Sequence, residues 1–252
     1  MCGRFASFTS VDAVADRLGL QLITAGARLL PPSWNVAPTN TALLVRGAEL
    51  ETGRWGMPAP WGRRGNIVIN ARAETVSSRP MFSEAFARRR CIVPVDGYYE
   101  WQKVGGGKQP WFISEIGSEP GNARNPVMCF TGIYNDDDGA AITSRSIKSA
   151  QGEMDTTLGT GSGSGVEFVL LTAAASPDVA SIHNRMPVSI RVDQVEQWLE
   201  GSVADALDLL TRPEAEFAKW PVAKAVGSVA NNGPALVEPV RLAGPAVAPS
   251  LF

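Results

Sequence analysis

The chain has 252 residues, 44% of them hydrophobic and 19% charged, with a formal net charge of −2 at pH 7. Those values suit a globular protein with a large buried core and exclude a low-complexity or disordered chain. The charge gives no global attraction to nucleic acid, although five lysines leave 18 of the 23 basic residues as arginine, the better side chain for bidentate phosphate contacts.

In chain order, "TSVDAVADRLGL" predicts a helix capped by Thr9 or Ser10, apolar at Val11, Val14, Ala15 and Leu18, and ended by Gly19. The proline-punctuated "LLPPSWNVAPTN" reads as an ordered loop or extended segment. "ALLVR", "GRWGM" and "NIVINAR" read as short strands, and "MFSEAFARRR" as a helix with Phe82, Ala85 and Phe86 on its apolar face. The basic run Arg88, Arg89 and Arg90 is read as the end of that helix, where cations meet the dipole. "CIVPVDGYYEW", "QPWFIS" and "VMCFTGIY" continue the β pattern, with a hairpin tip at Gly105–Gly107. Residues 135–165 are polar and rich in Gly, Ser and Thr, the composition of a mobile insertion between two strands. "VEFVLLTAAA" resumes the sheet, "SPDVASIHNRM" is a short capped helix leading into a loop, and "VDQVEQWLEG" is an amphipathic helix. The tail 241–252 is expected to be disordered. One α+β domain over 2–240, with a β-rich, mostly antiparallel mixed core and peripheral helices, is the predicted architecture.

Three cysteines with no short spacing, and a single histidine, suggest no zinc site and no cofactor. Cys91 and Cys129 lie in apolar strand-like runs, as reduced core cysteines do. The N-terminus lacks a signal-peptide pattern and "FVLLTAAA" is too short to span a bilayer. A monomer in a reducing cytoplasm, away from membranes, is the expectation.

Cys2 follows the initiator methionine. If Met1 is removed, Cys2 carries an α-amine with a reference pKa of about 7.7–8.0 beside a thiol of about 8.5, two nucleophiles on adjacent carbons. Other polar residues sit within apolar runs. "INARAET" places Asn70, Arg72 and Glu74 at period two, "DGYYEW" places Glu100 at the end of an apolar strand, and "SIHNRMPV" holds His183 before Asn184 and Arg185. Singly each has an ordinary explanation: Asn70 satisfying a strand end, Glu100 paired with an arginine, His183 structural. Together they could supply proton transfer, orientation and substrate binding to an N-terminal nucleophile.

"MCGRF", "NVAP", "INARAET", "DGYYEW", "SIHNRMPV" and "AVGSVANNGPALVEPV" stand in the order seen in the SRAP (SOS-response-associated peptidase) family, which the chain resembles from about residue 2 to 240. The resemblance implies a compact α+β fold and a covalent protein–DNA crosslink at abasic sites in single-stranded DNA, with the protein nucleoid-associated when bound to DNA. An amine alone would give a reversible Schiff base prone to strand scission, whereas a 1,2-aminothiol closes a five-membered thiazolidine that protects the strand. The resemblance makes Cys2 the nucleophile and Asn70, Glu100 and His183 its partners: Glu100 moving the amine or thiol proton, His183 opening the sugar ring, Asn70 orienting by hydrogen bonds. It assigns Arg4, Arg72 and Arg185 to phosphates around the lesion. Trp61 is assigned to stacking on a base or wedging at a duplex end, with core packing as its competing reading, and Arg63 and Arg64 would extend the basic track. The alternatives are a thiol peptidase with Cys2 as nucleophile, including self-removal of Met1, a non-catalytic single-strand-binding module, and a merely structural Cys2.

Overall fold

The computed structural model describes residues 2–61, 65–119, 122, 126–136, 165–211 and 216–242. The expectations for Arg63 and Arg64, for most of the 135–165 segment and for residues 243–252 fall outside them.

The N-terminal half runs β1 (Phe5–Ser7), α1 (Val11–Leu18), β2 (Leu22–Ile23), α2 (Ala25–Leu29), β3 (Ser33–Val36), β4 (Thr41–Arg46) and β5 (Glu49–Trp55). Next come β6 (Met57–Pro58), β7 (Ile67–Val68), β8 (Asn70–Arg72), α3 (Ser83–Arg88), β9 (Arg90–Val95), β10 (Gly97–Val104) and β11 (Gly107–Glu115). The remainder is β12 (Met128–Asp136), β13 (Val166–Ala174), α4 (Pro177–Ala180), β14 (Arg185–Pro187), β15 (Ser189–Ile190), α5 (Val195–Glu200), α6 (Val203–Thr211) and β16 (Phe217–Pro221).

Local signals account for several boundaries. Ser10 caps α1 by accepting from the Ala13 N–H, and Gly19 ends it in the left-handed region at φ 66°. Gly105 and Gly106, at φ 46° and 83°, make the β10–β11 hairpin tip.

Strands β13, β12, β9, β4 and β5 pair in succession, and β5 pairs back on β13 in parallel, so the larger sheet closes on itself as a barrel. The second sheet has the order β16-β11-β10-β1-β3. Most pairings are antiparallel, and β2–β5, β5–β13 and β8–β13 are parallel. The architecture is thus the α+β, mixed, mostly antiparallel one expected.

The chain passes from barrel to second sheet at Asp96, between β9 and β10. Its buried carboxylate accepts from the backbone N–H groups of Phe8 and Thr9 and from the Thr9 hydroxyl. A Cβ at the next residue, Gly97, would stand 2.4 Å from the Phe112 ring and 2.7 Å from the Ile113 carbonyl, so the turn needs glycine. "CIVPVDGYYEW" is therefore two strands of two sheets rather than one run. The basic run ends α3 as expected, and the second correction concerns Arg90. Only Arg88 is helical, while Arg90 opens β9 and is buried. Its guanidinium donates to Phe86 and Ala87 carbonyls at the end of α3 and to Trp198, Leu199 and Gly201 carbonyls at the end of α5. One cation closes two helix C-termini.

Candidate active site

Residues 2–4 run antiparallel to β10, with Phe5 opposite Tyr98 and the Tyr99 N–H donating to the Arg4 carbonyl. This register carries Cys2 back alongside Glu100. Trp55 links the N-terminus to β8: its ring packs on Phe5 at 4.9 Å between centroids, and its Nε1 donates to the Ile69 carbonyl. The residue after Ile69 is Asn70, whose Nδ2 donates to the Cys2 carbonyl at 2.7 Å. Cys2 is fully buried. Its thiol donates to the Arg4 carbonyl at 3.6 Å, and burial, followed by the charge of Glu100, pushes its pKa far above the usual thiol value.

Glu100 is 3% exposed, near the middle of β10 and opposite Trp111. Its Oε1 lies 3.4 Å from His183 Nδ1. His183 follows α4, which is tied to β10 by the Gln102 side chain donating to the Ser181 carbonyl. The Arg185 N–H points at the same His183 Nδ1, 3.0 Å away. An unprotonated Nδ1 accepts that bond, and the neutral ring then carries its proton on Nε2. A protonated Nδ1 faces the Glu100 carboxylate and the Arg185 carbonyl at 3.3 Å.

The three arginines assigned to phosphates differ in availability. Arg72 is exposed, and its side chain makes no hydrogen bond or ion pair among the described residues. Arg185 is engaged from both sides. Its Nη1 and Nη2 meet Glu74 Oε1 and Oε2 at 2.5 and 3.0 Å, and Nη2 also donates to the carbonyl and hydroxyl of Thr172. Thr172 is the centre of this arrangement, pairing with Arg72 of β8 and with Pro187 of β14. Arg4 donates to Asn35 Oδ1 and to the carbonyls of Val226 and Gly227. Asn35 in turn donates to the carbonyls of Val226, Ser228 and Asn231, so a C-terminal strap is fastened across the start of the chain.

Trp61 is 60% exposed, which removes core packing as its explanation. With Asn70, Arg72, Arg79, Met81 and Phe82 it lines an open groove of about 540 Å³. The buried side-chain atoms left without a hydrogen-bond partner among the described residues are Asn70 Oδ1, Tyr98 Oη, Ser176 Oγ and Arg185 Nε. Three belong to residues of this site or their immediate neighbours, and Ser176 precedes the helix that leads to His183. Unpaired buried groups concentrated in one place are what a site awaiting a polar ligand presents. No group of three His, Cys, Asp or Glu residues suited to a metal occurs among the described residues.

Four residues of this site had no role from sequence alone. Trp55 and Thr172 look like ordinary strand residues. Glu74 had a signal, its period-two spacing with Asn70 and Arg72, and Tyr98 had another, its place two residues before Glu100.

The family model for SOS response associated peptidase (SRAP) matches residues 1–229. The chain belongs to the SRAP family. Among SRAP relatives, the abasic site processing protein YoqW of Bacillus subtilis (strain 168) is 29% identical, the alignment covering 94% of this chain and 99% of that protein. YedK of Escherichia coli (strain K12), also named an abasic site processing protein, is 29% identical over 95% of this chain and 100% of its own. HMCES of Gallus gallus, named likewise, is 30% identical over 76% of this chain and 58% of that longer protein. The SRAP fold is shared with a solved structure from Bacteroides thetaiotaomicron at TM-score 0.72 and 23% identity, covering 95% of this chain and 100% of that one. A phage-related protein of Bordetella bronchiseptica aligns at TM-score 0.62 and 22% identity over 88% and 95% of the two chains.

Proposed function

We propose that this protein processes abasic sites in single-stranded DNA, forming a thiazolidine crosslink through the α-amine and thiol of Cys2 after loss of Met1. The observation that carries the reading is the buried assembly around residue 2: the Asn70 amide on the Cys2 carbonyl, with the Glu100–His183 pair beside the thiol. The names of the SRAP relatives support the substrate class.

In this chemistry the Cys2 amine condenses with the open-chain aldehyde of the abasic sugar and water leaves. The sulfur then adds to the same carbon, and its proton passes to Glu100. His183 moves a proton at the ring oxygen as the sugar opens. Asn70 holds residue 2 still without competing for protons. Arg72 offers the open phosphate contact, and the strand runs along the groove past Trp61, which provides a stacking face.

A thiolate peptidase is less well supported. Such enzymes depress the thiol pKa with a cationic neighbour, whereas here burial and Glu100 raise it. Among the described residues the thiol bonds the Arg4 carbonyl and not His183.

The test mixes Met1-free protein, verified by intact mass, with a single-stranded oligonucleotide carrying one abasic site, and resolves the products on a denaturing gel. A shifted band that needs both Cys2 and the lesion is expected. Absence of that band would overturn the reading, and equal retention of intact and abasic strands without crosslinking would favour a passive binding module.

A further inference from the structure

A phenol hydroxyl in a protein core almost always finds a partner. Tyr98 has none among the described residues, although it is 1% exposed. Its position is fixed on three sides. Strand pairing sets it opposite Phe5, its ring meets Phe130 edge-on at 5.7 Å between centroids, and it lies in the buried cluster that contains Cys2. Strand alternation puts it on the same face of β10 as Glu100. Burial first, and then the nearness of the Cys2 sulfur and the Glu100 carboxylate, push the phenol pKa up.

The sulfur of Cys2 has the complementary deficit. Its thiol donates to the Arg4 carbonyl, and the sulfur accepts no hydrogen bond among the described residues. As the thiol gives up its proton, that carbonyl becomes a repulsive neighbour of the developing negative charge on sulfur. A sulfur in that position needs a donor that carries no charge of its own.

We propose that Tyr98 is that donor, its hydroxyl hydrogen-bonding the Cys2 sulfur while the thiazolidine ring closes, a role that rests on the crosslinking reading above. In the step it assists, a sulfur lone pair forms the carbon–sulfur bond and the π pair of the protonated imine moves to nitrogen. The thiol proton passes to the Glu100 carboxylate, and Tyr98 keeps its own proton throughout. The hydroxyl accelerates ring closure and leaves the earlier condensation of amine with aldehyde unchanged.

Tyr98→Phe keeps the ring and its packing and removes only the unpaired group, so its melting temperature should equal or exceed that of the unmodified protein. Single-turnover reactions with an abasic oligonucleotide are quenched in parallel with and without borohydride. Borohydride fixes the imine, while adducts that survive denaturation without it report the closed ring. The expected result is an unchanged rate of imine formation and a roughly tenfold slower appearance of the borohydride-independent adduct. The pH profile of that second step should also move upward, which a packing defect would not produce. Equal rates for both steps would remove Tyr98 from the mechanism. A parallel decline of both would reduce it to a structural residue and likewise overturn the proposal. If the unmodified protein forms no stable adduct, the crosslinking reading fails first and takes this inference with it.

Discussion

The Asn70 side chain donates to the Cys2 carbonyl at 2.7 Å while its own oxygen, buried, has no partner among the described residues. Its nitrogen ties β8 to the second residue of the chain, and its oxygen is left with its hydrogen-bonding capacity unused. Asn70→Asp keeps the shape but replaces the donor with a charge that faces the Cys2 carbonyl. It should therefore slow crosslinking more than Asn70→Ala, which loses about 1 kcal/mol of hydrogen bonding, or roughly fivefold to tenfold in rate. Single-turnover gels on the two variants check the order, and an Asn70→Asp variant as fast as the unmodified protein would show the donor to be irrelevant.

The three arginines should separate in a salt titration. Arg72 is open, and Arg72→Ala should reduce the slope of log affinity against log salt by about 0.7, the value for one phosphate on a single strand. Arg4 is held by Asn35 and by two carbonyls of the C-terminal strap. Arg4→Ala should cost stability first, about 2 kcal/mol or roughly 4–8 °C in Tm, with a smaller change in slope. Fluorescence anisotropy across a salt series and thermal melts measure both. A slope change at Arg4 equal to that at Arg72, with an unchanged Tm, would reverse the ranking.

Glu74 occupies the fork of Arg185 that a phosphate would use. The Arg185 hydrogen bond holds the Glu74 carboxyl below the usual carboxylate range. Because the folded pKa is depressed, this pair stabilises the protein above the unfolded carboxylate value of about 4.3 and loses that contribution as pH falls through the folded value. Glu74→Gln removes the competing charge at every pH. It should strengthen binding to single-stranded DNA, steepen the salt slope, and flatten the acid limb of the stability profile. Binding weaker than in the unmodified protein would instead make Glu74 a positioning group for Arg185.

How much of this was legible beforehand follows from how local each signal is. The α1 boundaries are set by Ser10 and Gly19 within one turn of the helix, and the hairpin tip by consecutive glycines, so both could be read directly. The break at Asp96 carries a local turn signal in Asp96-Gly97, but the switch to a second sheet rests on the distant Thr9 and Phe112 and could not be read. Helices α2 and α6 and strand β16 were not anticipated. α2 has five residues, too short to show a period, and β16 exists by pairing with β11. The catalytic candidates came from family motifs rather than from spacing. Asn70 reaches Cys2 from 68 residues away, through Trp55 and the β8–β13 pairing. The state of Arg185 was hidden for the same reason, since its partner Glu74 stands 111 residues earlier.

Glu100 offers the most direct test of how the thiol proton leaves. Burial keeps the Cys2 thiol protonated throughout the neutral range, so solvent base cannot prepare the sulfur and an internal acceptor must act as the bond forms. Glu100→Gln should therefore lower the crosslinking rate by about 10²-fold while leaving DNA affinity nearly unchanged, because the side chain is buried. Glu100→Ala leaves a cavity the size of a small carboxylate beside the sulfur. Added formate should recover part of the rate in that variant and none in Glu100→Gln, where the amide still fills the space. Crosslinking by Glu100→Gln at the unmodified rate would place the proton acceptor elsewhere, and His183, 3.4 Å from the same carboxylate, would be the next residue to substitute.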